Sequence, residues 1–341
     1  MIKDAIQQVV AGKDLSYQKT AAAINEIMTG QVSDIQIAAF LTALTAKGET
    51  IDEIAGAAAA MRSQALKFKK PAKPTLEIVG TGGDQAHTFN ISTTSAFIAA
   101  AAGIPVTKHG NRAASSLSGA ADVLESLGAD INSSPQNSAK ILAQTGICFL
   151  YAQEYHQAMR YVASARKELA FRTLFNILGP LANPAGASMQ LLGVYDEHLL
   201  ELLPEVLQKL GVMSGMVVHG CDGLDEITLT GPTKIVAFRD GNFEKFEIEP
   251  EQFGLQRCQP SDLVGGTPAE NATITREILG GKLGPKRDVV LLNAAAAIQI
   301  AQPELTLSAA FDRATKILDS GQALTKLNEF IAATNCDVDV A

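Results

Sequence analysis

The stretch Val79-Gly80-Thr81-Gly82-Gly83-Asp84 constrains this chain more than any other. Leu76 to Val79 read as a short buried strand, bounded upstream by Pro71 and Pro74. Three glycines follow at once, where the backbone must turn tightly and approach something without a Cβ in the way. Asn90, Ser92 and Thr93 then precede the apolar run Ala96 to Ala102, the body of a helix. A strand, a glycine turn and a hydroxyl-rich helix start together make an anion site, with free N–H groups and the positive end of the helix dipole aimed at one spot. The plainer alternative is an ordinary strand-to-helix loop capped by Ser92 or Thr93. No Gly-Lys-Ser/Thr ending is present and the GxGxxG order is absent, so neither familiar phosphate loop applies.

A second cluster follows the predicted strand Val106 to Lys108. Lys108 to Ser116 pack cationic, ring, amide and hydroxyl side chains into one short loop. Lys108 and Arg112 suit the neutralisation of a pyrophosphate, Asn111 donates and accepts, and Ser115 and Ser116 are donors of phosphate size. A solvated loop is the alternative, and it weakens once the loop is paired with the glycine turn. Asp222, Asp225 and Glu226 follow the predicted strand ending at His219. Hard oxygen ligands beside a pyrophosphate suit Mg²⁺; a solvated acidic turn is the alternative.

The rest of the chain supplies the frame. Residues 1 to about 70 read as helices only, punctuated by Gly12, Gly30 and Gly48. Ser33 with Gln36 and Thr50 with Glu53 form capping-box pairs. The helix after Ser33 carries Ile35, Ile37, Phe40, Leu41 and Leu44 and is apolar on nearly every face. It is either sandwiched within its domain or meets another subunit. From Pro74 on, strands at 76–79, 106–108, 147–150, 191–194 and 216–219 alternate with helices, including one over 135–144 started by Ser134. Ile227 to Thr230, Ile235 to Phe238 and Phe243 to Ile248 read as an antiparallel group with a turn at Asp240-Gly241, and helices follow from Thr267. The pattern predicts an α/β fold: a small N-terminal helical domain plus a large domain with a mixed, mostly parallel central sheet. Ligands are expected at the carboxyl ends of the strands, where Gly80, Lys108 and Asp222 fall. His156 to Leu169 read as one helix, and the Gly179-Pro180 and Asn183-Pro184 segment after it as a stiff connector.

Composition limits the alternatives. A net charge of −8 argues against broad nucleic-acid binding. The start Met1-Ile2-Lys3-Asp4 lacks the apolar core of a signal peptide, and Val289 to Ala301 is too short to span a bilayer. A cytoplasmic protein without membrane or nucleic-acid partners is expected. Cys148, Cys221, Cys258 and Cys336 form no CxxC pair, so neither disulfides nor a zinc site are indicated.

With the glycine turn and Lys108-His109-Gly110-Asn111-Arg112 in this order, the chain resembles the anthranilate phosphoribosyltransferase family over nearly its whole length. The resemblance implies transfer of a phosphoribosyl group from phosphoribosyl pyrophosphate to anthranilate, in tryptophan synthesis. It implies donor contacts from Gly80, Gly83, Asp84, Thr88, Asn90, Ile91, Ser92 and Thr93, then from Lys108, His109, Gly110, Asn111, Arg112, Ala113, Ala114, Ser115 and Ser116, and from Ala120. Anthranilate falls to Gly80, Asn111 and Arg166, whose guanidinium suits its carboxylate. Two Mg²⁺ ions fall to Asp225 and Glu226 and to Ser92. No residue is assigned as general base. A homodimer through the helical domain is implied, with residues 1–72 joined in space by about 156–186, and 73–155 with 187–341 forming the donor domain. Where the family commonly has serine, lysine, proline or glycine, this chain has Ala113, Ala120, Leu117, Gln157, Ser164 and Ala170.

Overall fold

A computed structural model describes residues 1–113 and 116–336. Four helices open the chain: Ile2–Val10, Tyr17–Met28, Asp34–Lys47 and Ile51–Ser63. Each capping box read from the sequence forms, Ser33 with Gln36 and Thr50 with Glu53. Gly12, Gly30 and Gly48 all take positive φ where these helices end, as helix stops do.

Among the described residues seven strands make one sheet: β1 (Leu76–Gly80), β2 (Val106–Gly110), β3 (Ile147–Tyr151), β4 (Met189–Gly193), β5 (Ser214–Gly220), β6 (Thr233–Arg239) and β7 (Asn242–Ile248). Their order is β3-β2-β1-β4-β5-β6-β7. β1 to β5 pair in parallel, while β6 and β7 add an antiparallel edge. From β1 the chain winds one way to β2 and β3, then returns to β4 and winds the other way. The order therefore reverses between β1 and β4, where an open α/β sheet leaves a crevice at the strand carboxyl ends. β1 and β4 run in register from Leu76 opposite Met189 to Gly80 opposite Gly193, so both strands finish in glycine at that crevice.

Two apolar cores result. One surrounds β1, β2, β3 and the long buried helix Pro285–Ala301. The other joins the N-terminal helices to Val162, Ala165, Leu174, Phe175, Ile177, Leu178 and Leu181, and runs on to β4 and the helix Leu199–Lys209. The segment after β3 thus packs on the N-terminal helices.

Two local expectations fail, each for a physical reason, and a third, left open, narrows. Ile227 to Thr230 is not a strand: the Asn293 side chain takes the Ile227 N–H and carbonyl, and the Thr228 N–H goes to Thr233 Oγ1. No ladder partner remains, although the alternating residues suit a strand. His156 to Leu169 is not one helix: a short helix, Ala152–Tyr155, ends at His156 (φ −113°, ψ 54°), one 3₁₀ turn follows, and the main helix spans Arg160–Leu169. The helix Asp34–Lys47 is not covered on all sides within its own chain. Ile37, Phe40, Leu41 and Leu44 are buried, but Ile35 is 83% exposed.

Candidate active site at the strand reversal

The crevice between β1 and β4 opens into a cavity of about 690 Å³, lined by the glycine turn, the start of the next helix, the loop after β2, Arg166, Arg172, Tyr195, Asp225 and Glu226. A neighbouring cavity of about 530 Å³ continues past Gly80, His109 and Asn111 to Gln157, Arg160 and Arg166. Most of the predicted site residues meet here. Ala114 and Ser115 lie outside the described residues.

The floor is built by absence of side chains. A Cβ on Gly80 would overlap the Asp225 carboxylate, and one on Gly193 would overlap the Asp225 backbone carbonyl. The paired glycines at the ends of β1 and β4 thus let residues 225–226, arriving from beyond β5, lie across the sheet reversal. Asp225 Oδ2 accepts from the Gly82 N–H at 2.6 Å. Glu226 Oε1 accepts from both the N–H (3.1 Å) and the hydroxyl (2.5 Å) of Ser92.

The helix Ile91–Ala101 starts one residue before the predicted hydroxyls, with Asn90 as its N-cap and no side-chain cap from Ser92 or Thr93. Its capping acceptor is Glu226, a carboxylate at the positive end of the helix dipole. The Asn90 side chain instead donates to the Ser118 carbonyl and accepts from Asn271, tying the helix start to the far rim.

Burial pushes the Asp225 carboxyl well above its ordinary range, with Asp84 and Glu226 adding repulsion. Burial lifts Glu226 to about 7, against the opposing pull of Ser92 and Lys108. Buried carboxylates that repel one another are poised for a cation. Among the described residues no three His, Cys, Asp or Glu side chains converge as a closed cage. Two carboxylates and an open side suit Mg²⁺, which keeps waters and takes its remaining ligands from phosphate.

Asp222 does not join them. Its carboxylate accepts from the Leu224 N–H and the Thr228 and Thr230 hydroxyls, which makes it a turn-former outside the cavity.

The loop after β2 holds its charges differently from expectation. Lys108 is buried, and its Nζ donates to the Ile78 carbonyl at 2.7 Å. Arg112 is paired with Asp122 (2.9 Å) and Glu125 (2.8 Å) and lies over the Tyr151 ring. Asp122 in turn accepts from the Ala113 and Gly119 N–H groups, so this network shapes the loop. Asn111 Oδ1 accepts from the Arg112 N–H and from Gln153. Leu117 is exposed, and Ala120 opens the helix Ala120–Ser126. Thr88 forms an isolated bridge to Val264.

His109 is buried with its Nε2 unpartnered, 5.1 Å from the His156 ring. Burial, with His156 adding to it, pushes His109 well below the ordinary imidazole range. It is neutral, a shape-setting ring rather than a cation.

Arg166 is on the Arg160–Leu169 helix and faces both cavities, over the Phe175 ring at 5.7 Å. Among the described residues it forms no ion pair. The helix ends at Ala170 in a left-handed conformation (φ 53°). Glycine suits that backbone, so the alanine carries strain there.

Sequence reasoning missed Glu77 and Asn183. Glu77 is fully buried on β1, accepts from the His109 N–H at 2.9 Å and from Asn183 Nδ2, and is pushed up to about 7 by burial. Asn183 also donates to the Thr107 carbonyl, so the pair stitches the connector to β1 and β2. The only signal was a lone Glu inside an apolar strand.

With this geometry in place, two family models account for the chain. One, the α/β domain of a glycosyl transferase family, matches residues 72–324; the other, that family's helical bundle domain, matches 3–65. The anthranilate phosphoribosyltransferase of Lacticaseibacillus paracasei is 58% identical over 340 residues, covering 100% of this chain and 99% of the relative. The chain belongs to the anthranilate phosphoribosyltransferase family. The crystal structure of the Thermus thermophilus member superposes with a TM-score of 0.93 at 40% identity, covering 98% of this chain and 100% of that one. The Saccharomyces cerevisiae member, solved with phosphoribosyl pyrophosphate and Mg, gives 0.90 at 29% identity, covering 98% and 97%. Both family members share the helical bundle and the mixed sheet, so the predicted fold class holds. No helix among the described residues is long and apolar enough to cross a membrane.

Proposed function

We propose that this chain transfers the 5-phosphoribosyl group of phosphoribosyl pyrophosphate to the amine of anthranilate, releasing pyrophosphate. The observation that carries the reading is the carboxylate pair Asp225-Glu226 laid over Gly80 and Gly193 at the strand reversal, on the N–H groups of Gly82 and Ser92. In the transfer, the C1–O bond to pyrophosphate breaks, the amine nitrogen bonds C1, and the ammonium proton leaves to solvent or to the departing phosphate. An aromatic amine is a weak nucleophile, so stabilising the leaving group carries most of the barrier reduction. Bound Mg²⁺ supplies that stabilisation. Asp225 and Glu226 would hold it, and Ser92 would serve a second ion.

The glycine turn, Asp84, Thr88 and the 90–93 helix start bind the donor, together with residues 108–116 and Ala120. Asn111 and Gly80 line both cavities, which supports giving them contacts to donor and acceptor alike. Arg166 takes the anthranilate carboxylate from a half-apolar wall, which strengthens a charge-assisted pair. Orientation across the two packed units supplies the remainder, and neutral His109 is not required as a base. The helical unit is residues 1–72 with about 156–186, the donor unit is 73–155 with 187–341, and two copies pair through the helical unit in the cytoplasm.

The test mixes the protein with anthranilate, phosphoribosyl pyrophosphate and Mg²⁺ and follows anthranilate fluorescence. It falls only with donor and metal both present. Phosphorolysis of thymidine or uridine, without consumption of anthranilate, contradicts the reading.

A further inference from the structure

The donor reading leaves a charge imbalance on the sheet side of the cavity. Asp84, Asp225 and Glu226 all face it, while Lys108 is buried beneath them with its Nζ on the Ile78 carbonyl and its charge acting on Glu226, and Arg112 is paired with Asp122 and Glu125. Arg166 stands at the acceptor end. Of the lysines and arginines lining the cavity, Arg172 is the exposed one without a carboxylate partner among the described residues.

Arg172 sits in the short link between the Arg160–Leu169 helix and the helix Phe175–Leu181. Its Nη2 donates to the Gly83 carbonyl, and its guanidinium lies over the Tyr195 ring, 3.9 Å from the centroid. Among the described residues it has no carboxylate partner. Tyr195 is itself fixed to the glycine turn, its N–H donating to Thr81 Oγ1 at 3.2 Å. Three separate segments therefore hold one guanidinium at the mouth of the glycine turn. The side chain is exposed, and its contacts are to a neutral carbonyl and a tyrosine ring.

Resting on the donor reading, we propose that Arg172 is a positioning and binding residue for the pyrophosphate of the donor, held against Gly83 until that anion arrives. A guanidinium bonded to one carbonyl keeps free N–H groups, and a phosphate offers a charged acceptor of the geometry its fork matches. Stacking on Tyr195 fixes the plane of the fork at little entropic cost. The link is anchored by Leu174, Phe175, Ile177 and Leu178 in the core shared with the N-terminal helices. A contact from Arg172 to the donor therefore draws the helical side onto the sheet side. It also settles Arg166, on the same segment, over the acceptor.

The test measures initial rates of the intact enzyme with each substrate varied, together with inhibition by pyrophosphate in the presence of Mg²⁺. Arg172→Ala is expected to raise the donor KM and the pyrophosphate inhibition constant in parallel, by about tenfold or more, with a smaller change in the anthranilate KM and an unchanged Tm. Arg172→Lys restores part of the loss, because the charge returns without the fork. Tyr195→Leu gives an intermediate donor KM, and Tyr195→Phe, which keeps the ring face, stays near wild type. Unchanged donor KM and pyrophosphate inhibition in Arg172→Ala overturn the proposal, as does a loss confined to Tm or shared equally by both substrates. A wild type that does not consume anthranilate contradicts the donor reading itself, a separate result.

Discussion

Two arginine-bearing regions face the same cavity and hold their charge in opposite ways. In the loop after β2, Arg112 is locked by Asp122, Glu125 and the Tyr151 ring. On the helical side, Arg166 lies over the Phe175 ring and has no ion pair among the described residues. A cation already neutralised shapes a loop; one held on an aromatic face remains open to an arriving anion. The sequence lists both as equals, and only the partners separate them. The carboxylates divide in the same way: Asp222 is consumed by its own turn, while Asp225 and Glu226 stand on two N–H groups at the cavity floor.

The largest expected effect comes from breaking that floor. Gly193→Ala places a methyl group into the Asp225 backbone carbonyl, and backbone cannot give way as a flexible side chain does. Activity should fall by more than about a hundredfold, since misplaced reacting groups are costly, with a lowered Tm. Near-normal turnover would mean that residues 225–226 need not lie where the sheet reverses.

Next comes the contrast between the arginines. Arg166→Ala should raise the anthranilate KM by about ten- to over a hundredfold, the equivalent of roughly 1.5–3 kcal/mol for a charge-assisted pair, and change the donor KM far less. Arg112→Ala should act through loop order and raise the donor KM by a smaller factor. Steady-state kinetics on both variants checks this; the reverse ranking would undo the comparison.

A pH series probes the carboxylates. Glu226 is lifted to about 7 by burial, and a metal ligand must be deprotonated. Lowering the pH from 8 to 6 passes through that value, so protons compete with Mg²⁺. The Mg²⁺ concentration for half-maximal rate should rise by up to about tenfold per pH unit below 7, and a flat profile would exclude Glu226 as a ligand. The effect on stability runs the other way. Glu77, also lifted to about 7, binds a proton more readily folded than unfolded. Stability from this group is fullest at or below its unfolded value near 4.5 and is lost as pH rises toward 7.

The smallest effect on catalysis is expected at Ile35. Phe40 is fully buried within its own chain, while Ile35 on the same helix is 83% exposed. Sedimentation of the wild type should report twice the chain mass. Ile35→Glu should lower that mass and leave the Tm of the single chain nearly unchanged, whereas Phe40→Glu should unfold the helical unit. A wild type that sediments as a monomer would leave the exposed face of this helix without a subunit role.

What was legible in the sequence was local. Glycines after an apolar strand, capping boxes and the loop from Lys108 each declare themselves within a dozen residues, and the glycine turn and the Lys108 loop line one cavity. The contacts that make the site span the chain: Gly82 to Asp225 is 143 residues and Ser92 to Glu226 is 134. Such pairings leave no periodicity to read. The strand predicted at Ile227 to Thr230 failed for the same reason, since Asn293, 66 residues on, claims its backbone. The capping of the Ile91–Ala101 helix by Glu226 likewise could not be read from its own first turn.

The central claim is that Asp225 and Glu226 hold the metal that balances the departing pyrophosphate. A Mg²⁺ titration of the initial rate, comparing wild type with Asp225→Asn/Glu226→Gln, tests it most directly, because both changes keep shape and remove the anionic ligand. The account predicts a large fall in kcat, a half-saturating Mg²⁺ moved far upward, partial rescue by Mn²⁺, and an unchanged fold by circular dichroism. A double variant with wild-type turnover and the same Mg²⁺ dependence would contradict it.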